Sequence, residues 1–406
     1  MTSATTSDLA AHQQRDVQPD PTHERAQAVT LRLERALGFP FTGGNRLEVL
    51  RNGAQIFPAM LRAIEEAEVS VELLTYVYWT GEVAEKFAET LANKAGSGVH
   101  VRVLLDAFGA KSIENRLIER MKRAGVVVRW FRPFDWRVWR NDNRTHRKVL
   151  VCDGEIAFTG GVGIAEEWDG DARNPSEWRD NHFRVIGPAV RLLAAAFWGN
   201  WAEADSESQQ PYEPRWPPHE TGDGTQLQVV PSTAAQAISA ASLQMRAVLE
   251  MAHRRVRIQT PYFVLDDVFK PLLISKAREG VIVEIMLPGE HLDKRYDQLA
   301  GEIDFTELLE GGVHIYRYQK TMLHAKLVLI DDALACLGSC NFNQRSLRKD
   351  DEIVLNAYDE PLFRQLWQMY DDDLCECEAI KDARWRHRPF VTRFCEGLMQ
   401  PFRPQF

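Results

Sequence analysis

Two histidine–lysine pairs recur in matching surroundings. His146, Lys148 and Asp153 lie in T-H-R-K-V-L-V-C-D, and His324, Lys326 and Asp331 lie in L-H-A-K-L-V-L-I-D. Both segments read H-x-K-x4-D, and Gly160-Gly161 and Gly338-Ser339 follow at the same offset. An imidazole is a competent nucleophile near neutral pH, and a second imidazole can protonate a departing alkoxide. Two ammonium groups neutralise the non-bridging oxygens of a phosphate. Two copies together describe one shared phosphodiester site with a phosphohistidine intermediate, in which lysines supply the electrostatics and neither metal nor cofactor is expected.

The elements that must position these groups repeat as well. Successive side chains of a strand face opposite sides, so His146 and Lys148 share a face, as do His324 and Lys326, while Arg147 and Ala325 point away. The apolar run Val69 to Tyr78, a helical stretch from Glu82 to Lys94 and the run Val99 to Leu105 make a β-α-β unit. Val256 to Phe263, Val268 to Arg278 and Val281 to Leu287 repeat it. Asp153-Gly154 and Asp331-Asp332 read as tight turns, which gives the two motif aspartates a structural role. The expected fold class is α/β, in two similar α/β/α halves with the active site at their interface.

The chain has 406 residues, enough for two cores. Residues 1–38 are expected to be a disordered tail rich in Thr, Ser, Gln and Asp. Residues 39–210 and 226–406 form the two halves, joined by a Pro-rich linker at 211–225, and helices are expected after Pro361. Hydrophobic residues at 45% and charged residues at 26% suit a globular protein, and the net charge of −9 argues against a non-specific nucleic-acid binder. No apolar run is long enough to span a membrane, and no signal peptide is evident. The six cysteines have no framework spacing and are expected to be reduced.

The paired motifs resemble those of the phospholipase D superfamily, and within it bacterial cardiolipin synthases. T-G-G-N (42–45), D-A-F-G (106–109), F-T-G-G (158–161), E-W-R-D (177–180), T-P-Y-F (260–263) and G-S-C-N-F-N-Q-R-S-L (338–347) extend the likeness from about Phe41 to the C-terminus. The resemblance implies a sandwich of two α/β halves and a phosphatidyltransferase acting on glycerophospholipids through a covalent phosphohistidine. The alternatives are a phospholipase D-type hydrolase and, further off, a nuclease. It implies His146 as nucleophile, His324 as general acid, and Lys148 and Lys326 on the phosphate, with Asn341 and Ser339 beside it. Each histidine needs an acid to fix its tautomer; Asp180, 34 residues after His146, and Glu352, 28 after His324, match the family positions. Gly163 stands where the family's first motif carries the counterpart of Asn341. The aromatic and basic stretch Arg129 to Arg144 suits the headgroup zone of an anionic bilayer, equally a single-stranded nucleic acid whose bases stack on rings, or else a loop whose rings partly fill the interdomain core; the long resemblance and the acidic remainder of the chain favour the lipid. The expected partner is therefore a phospholipid at the inner face of the cell membrane, met by a cytoplasmic, peripheral protein with no stable nucleic-acid partner.

Overall fold

The computed structural model describes residues 21–133, 142–204, 224–234, 238–293, 295–332, 334–381, 385 and 405. Among these residues, one sheet of 15 strands runs through both halves. From one edge it reads Cys377–Ala379, His314–Tyr318, Ile282–Pro288, Arg255–Gln259, Leu327–Ile330, Leu334–Gly338, Glu352–Tyr358 and Thr225–Ser232. It continues with Phe41–Arg51, Asn181–Ile186, Ile156–Gly160, Val149–Cys152, Ser70–Thr75, His100–Asp106 and Val127–Phe131. Apart from the extra edge strand Cys377–Ala379, the order is a palindrome about the antiparallel pair Thr225–Ser232 and Phe41–Arg51. The expected α/β halves are thus two copies of one plan, fused through a continuous sheet.

Alternation along the strands assigns the layers. Leu73 and Leu150 enter a core under the helices Asn52–Glu66, Glu82–Gly96 and Asn115–Arg123. Their neighbours Leu74 and Val151 turn to the opposite face. There a single core collects Val49 and Val185 from one half with Leu227 and Leu355 from the other, beneath the helices Val190–Ala204 and Glu360–Leu374. The halves therefore keep separate cores on one face and share the core on the other. That shared core holds the strand ends of both halves at a fixed mutual position.

Some expectations change. Pro21–Leu37 is a helix, not a tail, because Val29, Leu33 and Leu37 recur at helical spacing and pack on the core with Val230 and Ala241. Residues 1–20 of the expected tail lie outside the described residues, as do 211–223 of the linker, whereas Thr225 already opens a strand. The helix expected after Pro361 is present as Glu360–Leu374; the chain then pairs as the edge strand Cys377–Ala379, and residues 382–384, 386–404 and 406 of the expected helices lie outside the described residues. Of the aromatic and basic stretch, Arg129 to Phe131 belong to an edge strand and residues 134–141 lie outside the described residues.

Candidate active site

Each H-x-K segment runs into a central strand, Val149–Cys152 or Leu327–Ile330. At that strand's far end the motif aspartate sits at positive φ, +55° for Asp153 and +54° for Asp331, a backbone state that Asp tolerates better than most residues. Asp153 accepts hydrogen bonds from the backbone N–H groups of Glu68, Val69 and Ser70. Asp331 does the same for His253, Arg254 and Arg255. Both aspartates thus tie a turn to the start of the neighbouring strand, one strand length away from the histidines.

Short bridges then stitch the halves across each other. Thr145 pairs with Asp351, and Arg179 with Leu323. Asp351 N–H donates to Arg144 O and His146 N–H to Asp351 O; Arg179 N–H donates to Met322 O and His324 N–H to Arg179 O. The residue following each bridging partner carries a carboxylate, so each acid is delivered to the histidine of the opposite half. His146 Nδ1 lies 2.9 Å from Glu352 Oε1, and His324 Nδ1 lies 2.7 Å from Asp180 Oδ2. Counting each acid from the histidine of its own half is therefore the wrong pairing: Asp180 serves His324 and Glu352 serves His146. A carboxylate on Nδ1 selects the tautomer with its proton there and leaves Nε2 as the basic nitrogen.

All four motif bases are buried. Lys148 donates to His146 O at 2.8 Å and lies 5.3 Å from the Tyr76 ring centroid. Lys326 donates to His324 O and stands 2.7 Å from its Nδ1. Burial pulls His146 down to about 4 against the upward pull of Glu352, while Lys148 and Lys326 add to the drop. Burial pulls His324 down to about 3, reinforced by Lys326 and Lys148 and opposed by Asp180. Lys148 falls to about 7 and Lys326 to about 8, again through burial, and the positive charge of Lys326 depresses Lys148 further. Each histidine feels the lysine of the other half, so the two motifs make one electrostatic site. Burial pushes both acids up, but Lys326 and His324 hold Asp180 below its usual range, and His146 and Lys148 do so for Glu352. Both carboxylates stay ionised.

The remaining expected residues separate. Ser339 is fully buried, and its hydroxyl donates to Glu352 Oε2. It stands behind the acid and is not among the residues lining the cavity beside His146. Asn341 does line that cavity, with its Oδ1 buried and without a hydrogen-bond partner among the described residues. Its counterpart Gly163 is closely packed: a Cβ there would meet Val77 Cβ at 2.6 Å and the Trp168 ring at 3.3 Å. An asparagine is sterically shut out of that position by this chain's own Val77.

Several residues of the site carry no signal in the H-x-K pattern. Trp168 Nε1 donates to Asp180 Oδ2 at 2.9 Å, and its ring meets His324 edge-on at 5.1 Å. Trp178 lies 5.3 Å from the same imidazole, and Tyr262 6.2 Å. Tyr76 meets His146 at 5.0 Å. Trp178 and Tyr262 lie inside recognisable segments, E-W-R-D and T-P-Y-F, but nothing in their spacing shows that they would pack on a histidine. Arg147, facing away as expected, is buried and donates to Asn200 Oδ1, Ala196 O, Ser232 O and Glu352 O. Arg179 is fully enclosed and pairs with Asp373, 2.8 Å away, from the acidic run of the C-terminal helix. These two guanidiniums clamp the backbones on which the acids ride. A cavity of about 310 Å³ opens beside His146, lined by Tyr76, Arg144, Asn341, Arg345, Ser346 and Asp350 among others.

This fold and site have counterparts among known proteins. A family model described as "Cardiolipin synthase, PLD-like domain" matches residues 60–167 and 245–374. "Cardiolipin synthase 1" of Bacillus anthracis is 31% identical over 393 residues, covering 95% of this chain and 77% of that protein. "Cardiolipin synthase A" of Pseudomonas aeruginosa is 32% identical over 339 residues, covering 83% of this chain and 68% of that protein. The crystal structure of phosphatidylserine synthase from Haemophilus influenzae Rd KW20 superposes with a TM-score of 0.69 over 92% of this chain and 97% of that one. At 15% identity, that likeness speaks for the fold alone.

Proposed function

The chain belongs to the cardiolipin synthase family of PLD-like domain proteins, and on that footing we propose that it transfers a phosphatidyl group between glycerophospholipids through a phosphohistidine on His146. The observation that carries the mechanism is the crossed pairing, which leaves the Nε2 of each imidazole as its reactive nitrogen and supplies each ring with its own carboxylate. His146 Nε2 attacks phosphorus, the bond to the leaving alkoxide breaks, and His324 gives that oxygen its proton. The acceptor hydroxyl then loses its proton to His324, its oxygen attacks phosphorus, and the N–P bond breaks to regenerate His146.

Electrostatics support this sequence of events. Burial keeps both histidines neutral at pH 7, which suits the attacking base. The arriving phosphodiester anion lies among four groups whose protonated forms were destabilised by burial and by one another. It raises the pKa of each, restoring charge on Lys148 and Lys326 and allowing His324 to carry the proton it donates. Asn341 Nδ2 adds a neutral donor to the phosphate. Asp180, Glu352 and Ser339 act through the histidines as positioning residues.

The substrate is taken from a membrane surface. No helix among the described residues is long and apolar enough to cross a membrane. Phe108 and Tyr296, 49% and 46% exposed, stand at the rim of the cavity beside His146, and Arg144 faces the Phe108 ring. Aromatic rings next to cations suit the headgroup layer of a bilayer.

The test is turnover of phosphatidylglycerol vesicles by the purified protein, beside His146→Ala. The expected products are cardiolipin and glycerol, with a loss of at least about 10⁴-fold in the variant. Phosphatidic acid as the main product would make the protein a hydrolase. Cleavage of a single-stranded oligonucleotide without lipid turnover would overturn the lipid assignment.

A further inference from the structure

Positions related by the repeat line the two ends of the site with opposite chemistry. Gly160 pairs with His182 and Gly338 with Val354, which places Trp178 and Asp350 at equivalent positions, four residues earlier in the segments that lead into the strands Asn181–Ile186 and Glu352–Tyr358. Beyond Gly163 and Asn341 the two chains run without a gap into the short helices Glu166–Trp168 and Gln344–Arg348, which aligns Trp168 with Ser346. The two indoles fill the space around His324. Their counterparts, a carboxylate and a hydroxyl, line the cavity of about 310 Å³ that reaches His146.

The cavity wall presents acceptors in search of donors. Asp350 is 6% exposed; its Oδ2 receives Arg345 Nε at 3.1 Å, while its Oδ1 has no partner among the described residues. Asn341 Oδ1 is in the same condition. Buried acceptors without partners are costly, and a ligand that brings hydroxyl donors removes the cost. Burial pushes Asp350 up to about 7 against the pull of Arg345, with Glu352 and Asp106 adding to the rise, so it is an ionised acceptor only above neutral pH. Phe108 and Tyr296 at the rim place the mouth where a lipid would present its polar end.

We infer that this cavity is the subsite for the hydroxyl-bearing glycerol headgroup of the phosphodiester, and that Asp350, with Asn341, determines headgroup specificity by accepting hydrogen bonds from its hydroxyls. The inference rests on the phosphatidyl-transfer reading but is testable apart from it. Asn341 then bridges two parts of the ligand, its amide nitrogen on the phosphate and its oxygen on the neighbouring hydroxyl.

Two soluble phosphodiesters serve as probes in calorimetry on the full chain: glyceryl propyl phosphate, which has the two hydroxyls, and dipropyl phosphate, which lacks them. At pH 8, above the value of about 7 to which burial pushes Asp350, the expected result is that the wild-type protein binds the glyceryl compound at least about tenfold more tightly, the worth of one hydrogen bond to a charged group. Asp350→Asn should shrink that ratio to within about threefold, and Asn341→Ala should reduce it as well. The ratio is internal to each sample, so partial loss of folded protein leaves it unmoved. If Asp350→Asn does not fold, Asn341→Ala carries the test. A wild-type ratio near one, or a ratio that neither substitution moves, overturns the inference. Lipid transfer with a flat ratio leaves the function standing and removes the subsite; an Asp350-dependent ratio without lipid turnover does the reverse.

Discussion

The two half-sites carry the same motif in different surroundings. Around His324, Asp180 is short, receives the Trp168 indole N–H, and the ring is enclosed by Trp168 and Trp178. Around His146, Glu352 is one methylene longer, receives the Ser339 hydroxyl, and the ring faces Tyr76 and an open polar cavity. Gly161, the counterpart of Ser339, makes room for Asp180: a Cβ there would come within 2.4 Å of its Oδ1. Each acid is thus fitted to its neighbour, Asp with Gly and Trp, Glu with Ser. The difference suits the division of labour proposed for the duplicated motif. One imidazole is packed between indoles, as suits the proton-returning role proposed for it. The other stands beside the space that substrate must enter, as suits a nucleophile.

The largest effect expected from this comparison comes from exchanging the acids for amides. Asp180→Asn and Glu352→Gln should each lower transfer by about 10²–10⁴-fold, since an amide favours the wrong tautomer. Because the pairs are crossed, the two losses should differ in kind. Asp180→Asn should impair His324, so a substrate with a good leaving group such as p-nitrophenol should recover much of the first step. Glu352→Gln should impair attack by His146 and show no such recovery. The opposite pattern, read from the nitrophenol burst, would break the crossed assignment of roles.

A smaller effect follows from the lysines. Lys148 at about 7 and Lys326 at about 8 lose their charge as pH rises, so phosphate binding and kcat/KM should fall as pH rises through 7 to 8. The neutral lysine is the form favoured by burial, hence the decline begins well below the usual ammonium range. A pH–rate profile still climbing above 9 would show that these lysines are not the groups that hold the phosphate in its charged form. Lys148→Arg should move the first part of the alkaline limb upward.

The smallest effect is structural. Gly163→Asn should destabilise the fold by about 1–3 kcal/mol through overpacking against Val77, seen as a lower melting temperature. Adding Val77→Ala should recover part of that loss by vacating the space. No loss in the single variant would mean that the first half accepts the amide its partner carries, and that steric exclusion does not explain the asymmetry.

Much of this was legible from residue order. The β-α-β units follow from apolar runs interrupted by helical segments: the strand Ser70–Thr75 lies within the run expected of it, and His100–Asp106 ends one residue past the expected Leu105. The helix Pro21–Leu37 was missed because a polar composition masked three apolar residues at helical spacing. The edge strand Cys377–Ala379 was missed because three residues carry no period of their own; pairing with His314–Tyr318 decides their state. Trp168 was missed because its role depends on a turn that brings it back on Asp180 across 12 residues of irregular chain.

The sequence by itself offered the chemically capable groups: two H-x-K pairs and a motif aspartate closing each turn, because residue type and a spacing of two fix which side chains share a face, with Asp180 and Glu352 added by the family resemblance. It also determined that the halves repeat. Which acid serves which histidine was decided only in three dimensions. The bridges Thr145–Asp351 and Arg179–Leu323 join segments about 206 and 144 residues apart, and no local pattern specifies such a pairing. The same holds for the hollow beside His146 and the indoles around His324. Cavities are properties of how distant side chains fill space together, and a one-dimensional repeat contains the positions without the packing.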